Sequence, residues 1–275
     1  MIHSFANLKI GATKPFTIIH ISDTHLTLVN DTDSLQIIDY SQQRKTKFPE
    51  TLSFLESVSI EAHKKNAVIF HTGDMTDFLS NGNIDYLKNY MRKNDLQFTV
   101  GNHDFKTVDS AGAVVNTCNE ENQKLLQQIY GNHYNFTSRI INGVNFVGIS
   151  NIYYNFSHEQ LEKLKKEVLK GLPIVLTVHI PFYERGLYDI VVQGNRTYAS
   201  QIAVPLKLMK CYPKAKIDQQ SADEFTKKAV DYIVNETSIK AILAGHVHKS
   251  FAGLVGGEIL QKTVSLYEMC EIYIE

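Results

Sequence analysis

Cysteine is scarce and scattered. Cys118, Cys211 and Cys270 are an odd number with no close pairs, which argues against a disulfide framework and against a zinc ribbon. Charge of one sign is missing as well: 28 Lys+Arg stand against 29 Asp+Glu, a formal net charge of −1. The chain therefore lacks the basic footprint that drives sequence-independent nucleic-acid binding, although a local cationic site stays open. No apolar run approaches the roughly 18–20 residues of a membrane-spanning helix. Residues 1–7 (MIHSFAN) have neither a basic region nor a continuous apolar one, so no secretory signal is expected. These absences point to a cytoplasmic protein with no membrane partner. What remains is an ordinary globular composition, 275 residues at 43% hydrophobic and 21% charged, long enough to bury a sizeable core as one large domain or two small ones.

Short apolar, β-branched runs alternate with helical patterns, which defines an α/β class. Strands are expected at 16–21, 67–70, 96–100, 174–178 and 239–243, with two more within 133–149. Helices are expected near 50–65, 83–94 and 119–130, the last ending at Gly131. Ser157 with Gln160 forms a capping box for a further helix, and Ser221 with Glu224 is read as the cap of another. The last 25 residues read as two or three short antiparallel strands.

Polar clusters sit at the carboxyl ends of these strands: Asp23-Thr24-His25 after the first, Gly73-Asp74 after the second, Gly101-Asn102-His103-Asp104 after the third, His179 after the fourth, and Gly245-His246-Val247-His248 after the fifth. Loops at the carboxyl ends of strands in open α/β sheets converge on ligands. Asp23 and His25, like His246 and His248, are two apart and project from one side of an extended segment. Imidazole nitrogen with carboxylate and amide oxygen suits manganese, iron, zinc or nickel, and the lack of cysteine argues against a thiolate site. Seven candidate ligands exceed the four of a tetrahedral site, so two divalent ions fit better than one.

The ordered set Asp-x-His, Gly-Asp, Gly-Asn-His-Asp, His, Gly-His-x-His, running from residue 23 to residue 248, resembles the calcineurin-like metallophosphoesterases. The resemblance implies two packed mixed β-sheets flanked by helices, a four-layer α/β/β/α sandwich, with a dinuclear metal centre at one edge. It implies Asp23, His25 and His248 on one ion, Asn102, His179 and His246 on the other, and Asp74 as the bridge. His103 would be the catalytic imidazole, with Asp104 supporting the site from behind. The activity implied is hydrolysis of a phosphoester. Metal coordination lowers the pKa of water towards neutrality, giving a bridging hydroxide nucleophile, and a site of two dications with two carboxylates stays electropositive towards an anionic ester. His103 would protonate the leaving alkoxide or stabilise charge on the phosphoryl oxygens.

Other residues invite and fail the same reading. Gly131-Asn132-His133 repeats the Gly-Asn-His string but follows a helical pattern, so Gly131 reads as a helix C-cap. His20 and His71 lie within strands and read as core histidines, while His3, His63 and His158 read as solvated. Asp77 is either a support for the site or the cap of a turn. The protein-phosphatase branch of the family carries arginines shortly after its Gly-Asp and Gly-Asn-His motifs. Here those stretches read Met75-Thr76-Asp77-Phe78 and Asp104-Phe105-Lys106. A phosphodiester or small phosphorylated metabolite is therefore the favoured substrate; a nuclease, and a non-catalytic scaffold that binds a protein partner, are the alternatives. Residues 182–220 are too long for a plain connection and rich enough in apolar residues to pack. They are expected to cap the site, with Arg185 and Arg196 as partners for a substrate phosphate.

Overall fold

The apolar runs are continuous because their strands are buried on both faces, and three hydrophobic clusters show how. The computed structural model describes residues 1–193 and 197–275. One sheet holds β1 (Ile2–Leu8), β2 (Phe16–Ile21), β3 (Val68–His71), β4 (Leu96–Phe98) and β13 (Glu268–Ile274), in the order β1-β13-β2-β3-β4. The second holds β7 (Phe136–Ile141), β8 (Val144–Ile149), β9 (Ile174–Thr177), β10 (Ile239–Ala244), β11 (Phe251–Val255) and β12 (Ile259–Thr263), in the order β11-β12-β10-β9-β8-β7. Both sheets are mixed: β2, β3 and β4 run parallel, as do β8, β9 and β10, while β13 is antiparallel to β2 and β7 to β8. A two-stranded ribbon, β5 (Lys106–Val108) with β6 (Val114–Asn116), stands apart.

Alternate residues of each strand face opposite layers. Ile18, Phe70 and Ile272 pack against Phe146, Val175 and Leu243 between the sheets, with the Phe70 and Phe146 rings 4.4 Å apart. Their neighbours Ile19 and Ile69 face outward onto α2 (Thr51–Lys65), α3 (Asn81–Lys93) and α4 (Glu120–Tyr130) through Phe54, Leu87 and Leu126. On the far side, Leu176 and Ile242 pack against α5 (His158–Val168) and α8 (Glu224–Asn235) through Leu164 and Ile233. Helix, sheet, sheet, helix is the four-layer order expected.

The local signals hold with two corrections. The Ser157–Gln160 capping box forms, and Gly131 ends α4 at φ +67°. Helix α8, however, is capped by Asp223, whose side chain accepts from Thr226 N at 2.6 Å, whereas Ser221 ends α7 (Lys214–Gln220). The last 25 residues do contain three strands, but only β11 and β12 form an antiparallel pair. β13 crosses to the other sheet and lies between β1, to which it is parallel, and β2, to which it is antiparallel, where layers on both faces bury six of its seven side chains. No helix among the described residues is long and apolar enough to cross a membrane.

Candidate dinuclear metal centre

The loops after β2, β3, β4, β9 and β10 bring seven polar residues to one edge of the sandwich, in backbone conformations that side chains rarely adopt. Asp23, His25, Asp74, His246 and His248 all have φ between 49° and 68°, the left-handed region that costs a non-glycine residue of order 1–3 kcal/mol and that collects at functional sites. The glycines of the motifs allow the loops to approach. A Cβ on Gly73, at φ +100°, would lie 2.5 Å from His179 Nδ1 and 2.7 Å from Gly101 N. One on Gly245 would run into Ser22 and Asp23.

Three overlapping groups of possible ligands result; His25, Asp74 and His103 form one, and the other two are made of proposed ligands alone. The ligating atoms of Asp23, His25 and His248 lie within 4.8 Å of one another, and so do those of Asp74, His179 and His246. In the first, His25 Nε2 and His248 Nε2 are 3.2 Å apart, and His248 Nε2 is 3.3 Å from Asp23 Oδ1. In the second, His179 Nε2 lies 3.1 Å from His246 Nδ1 and 3.3 Å from Asp74 Oδ2. These separations match the edge of a tetrahedron with metal–nitrogen bonds of about 2.0–2.1 Å, which is roughly 3.3 Å. Asp74 Oδ2 is also 3.9 Å from His25 Nε2, so one carboxylate oxygen faces both clusters. Asn102 Oδ1 is buried with no hydrogen-bond partner, and Asp23 Oδ1 is buried with only the His248 nitrogen, at 3.3 Å, close to it. Buried oxygens are normally satisfied, and these two are the donors a cation would use. The residue set fits two ions.

Hydrogen bonds fix which nitrogens face inward. His25 Nδ1 donates to Asp77 Oδ1 at 3.0 Å and His179 Nδ1 donates to the Thr72 carbonyl at 2.8 Å, leaving each Nε2 with its lone pair towards the centre. His246 Nε2 is held 2.7 Å from the Tyr154 hydroxyl. Asp104 is wholly buried and accepts from the backbone N–H groups of Asp74, Thr76 and Gly101 at 2.7–2.9 Å. These bonds tie the Asp74 loop to the Asn102 loop.

His103 stands beside the clusters. Its N–H donates to Asp74 Oδ1 at 2.7 Å, its Nδ1 lies 3.0 Å from Asp77 Oδ1, and its Nε2 is 2.8 Å from Lys106 Nζ. Burial alone would depress this imidazole, but Asp74 and Asp77 hold it above its ordinary value. Asp77 is thus a support rather than the cap of a turn. It also receives the Arg44 guanidinium at both oxygens. Against the cost of burial, His103, His25 and Arg44 keep its carboxyl well below the usual range. Arg44, from α1 (Leu35–Lys45), lies over Phe48, whose ring stacks on His25 at 4.3 Å.

His20 and His71 are core histidines, bonded to Thr72 and Thr24 at 3.0 Å and pushed by burial down to about 3. His3, His63 and His158 are exposed, and His133 lies outside the site. The three cysteines are free.

A cleft of about 580 Å³ opens over the clusters. Asp74, Asn102, His103, Lys106, His246 and His248 form its floor, while Tyr198, Ser200, Lys216 and Gln219, from the 182–220 segment, form the facing wall. That segment contains α6 (Arg185–Gln193), a short 3-10 helix at Leu206–Leu208 and α7, packed around Ala199, Val204, Met209 and Tyr212. The structure does not bring Arg185 to the cleft. Its side chain is 64% exposed and pairs with Asp189 at 2.8 Å, the i,i+4 neighbour that a helix supplies. Arg196 lies outside the described residues. Sequence reasoning missed Tyr154, Lys216 and Arg44, none of which belongs to a recognisable motif.

The chain belongs to the calcineurin-like phosphoesterase family, whose sequence model matches residues 16–250. It is a hydrolase of phosphoester bonds, in a family that works with two metal ions. No curated protein matches the sequence. Among solved structures it is similar to a dimetal phosphatase from Danio rerio, at 11% identity and a TM-score of 0.51, covering 94% of this chain and 88% of that one. It is similar to a purple acid phosphatase from yellow lupin, at 12% identity and a TM-score of 0.52, covering 91% of this chain and 44% of that one. A phosphopantetheinyl hydrolase from Mycobacterium tuberculosis aligns over 91% of this chain and 90% of its own, at 11% identity and a TM-score of 0.50. At these identities the likeness is one of fold.

Proposed function

We propose that the protein hydrolyses a phosphodiester or a small phosphorylated metabolite at a dinuclear centre, with Asp23, His25 and His248 on one ion and Asn102, His179 and His246 on the other. Asp74 bridges them. The observation that carries this reading is the pair of ligand clusters, with the Asp74 carboxylate inside one and 3.9 Å from His25 of the other, and the buried Asn102 Oδ1 left without a partner beside them. The ions supply Lewis acidity and lower the pKa of water at the site. The chain's own part is to orient the ester and manage its proton. His103, its Nδ1–H fixed on Asp77, turns its Nε2 lone pair to the Lys106 ammonium, so that the pair shares a proton that Nε2 would take from Lys106 and pass to the departing alkoxide. Lys106, against that nitrogen, helps to hold the phosphoryl charge. No described arginine lines the cleft, and Arg44 is committed to Asp77, which favours a diester or a small ester over a phosphoprotein dianion gripped by paired guanidinium groups.

Residues 182–220 act as a cap inserted into a single domain of 1–275, selecting what reaches the ions. Free thiols suit a cytoplasmic setting. Metal analysis of purified protein, followed by a screen of phosphomonoesters, phosphodiesters and nucleotides with manganese, tests the reading. Close to two transition-metal ions per chain and turnover of at least one ester are expected; no metal and no turnover would refute it.

A further inference from the structure

Most of the hydrogen-bonded lysines among the described residues satisfy their charge with a nearby carboxylate, as Lys124 does with Glu120 and Lys163 with Glu159. The cleft departs from that habit. Lys106 on its floor contacts His103 Nε2 at 2.8 Å, and Lys216 on its cap wall contacts Gln219 Oε1 at 2.9 Å. Among the described residues neither has a carboxylate as an ion-pair partner. Lys216 is further fixed by the Tyr198 ring, 4.7 Å beneath its ammonium, a contact that orients the cation without neutralising it. Asp74 is the one carboxylate among the residues that line the cleft, and it faces the metal clusters. Two ammonium groups lining one cleft, neither in a direct ion pair with a carboxylate, make a field that favours an anion entering between them.

One phosphoryl group at the metal centre meets Lys106, which stands beside His103. Lys216 belongs to the opposite wall and is left for something else. We infer that the cap wall is a second anion subsite, in which Lys216, supported by Tyr198 and Gln219, grips a phosphate or carboxylate on the part of the substrate that does not react. The inference rests on the phosphoester reading and narrows it: the substrate is a phosphoester with a second anionic group.

The test uses non-hydrolysable propylphosphonates that end in a hydroxyl, a carboxylate or a second phosphonate, with binding to the manganese-loaded protein measured by calorimetry. The wild type is expected to bind the two anion-ended compounds at least tenfold more tightly than the hydroxyl compound. In Lys216→Met that preference falls below threefold, in Lys216→Arg it persists, and Lys216→Glu turns it towards an ammonium-ended analogue. Equal affinities in the wild type, or an unchanged preference in Lys216→Met, would overturn the subsite. The two readings fail separately. Anion preference without hydrolysis of any ester refutes the hydrolase, and hydrolysis without anion preference refutes the subsite alone.

Discussion

Asp74 and His103 touch, yet the chemistry assigned to them differs, and single substitutions separate the two roles. Asp74→Asn keeps the shape but removes the charge that faces both clusters. Metal content is expected to fall from two ions towards one or none and activity to drop below detection; full turnover in this variant would end the bridged model. His103→Ala leaves every proposed ligand in place, so metal content should stay near two while kcat falls by about 10²–10⁴. Loss of metal in that variant would make His103 a ligand instead. The gathering of these residues at one edge was legible in the sequence because five separate strand ends each carried polar residues, while their division into seven ligand candidates and His103 came from the family resemblance. Arg44 and Tyr154 were not readable. Each meets the site through the folded chain alone, with Asp77 33 positions beyond Arg44 and His246 92 positions beyond Tyr154.

The strand-to-loop junctions are where element and site meet, and glycine governs them. Gly73 has a left-handed φ and no room for a methyl group between His179 and Gly101. Gly73→Ala is expected to destabilise the protein by on the order of 2–4 kcal/mol and to lower metal affinity with it, measurable as a fall in the urea midpoint with manganese present. The same physics explains which elements the sequence revealed. Strands β2, β9 and β10 announce themselves as continuous apolar runs because layers cover both of their faces. Helix α1 buries only Ser41, so no apolar stripe marks it. β1, mostly exposed along its length, carries no alternating signal. In the 182–220 segment the apolar content predicted packing, and a small core formed, but Ile190 and Leu206 remain exposed and Arg185 points elsewhere.

At the scale of the whole molecule, one buried ion pair knits the two sheets. Glu268, at the start of β13, accepts from Ser4 of β1 at 2.6 Å, from Ser250 at 2.8 Å and from Lys262 of β12 at 3.0 Å. Burial would raise its carboxyl, but these partners and the Ser265 N–H bring it down to about 2. A carboxyl lowered in the folded state stabilises above its ordinary pKa and loses that contribution as pH falls towards 2. The loss is on the order of 3 kcal/mol. In the metal-free protein, urea midpoints between pH 5 and 2 should therefore fall more steeply for the wild type than for Glu268→Gln, which starts lower at pH 7. Parallel slopes would show that the group does not titrate as described.

The two large sheets are held together by apolar contact across their interior, and at the cleft edge by something different. Asp23, His25, Asp74 and Asn102 follow strands of the first sheet, whereas His179, His246 and His248 follow strands of the second. Each proposed ion would therefore take donors from both, like a rivet through two plates, at an edge where five of the donor residues already hold left-handed conformations. Chelation should open the sandwich from that edge inward. Hydrogen exchange after metal removal is expected to quicken at the carboxyl ends of β2, β3, β9 and β10 while the β1–β13 amides keep their protection. Uniform loosening of both sheets would mean that the plates never depended on the rivets.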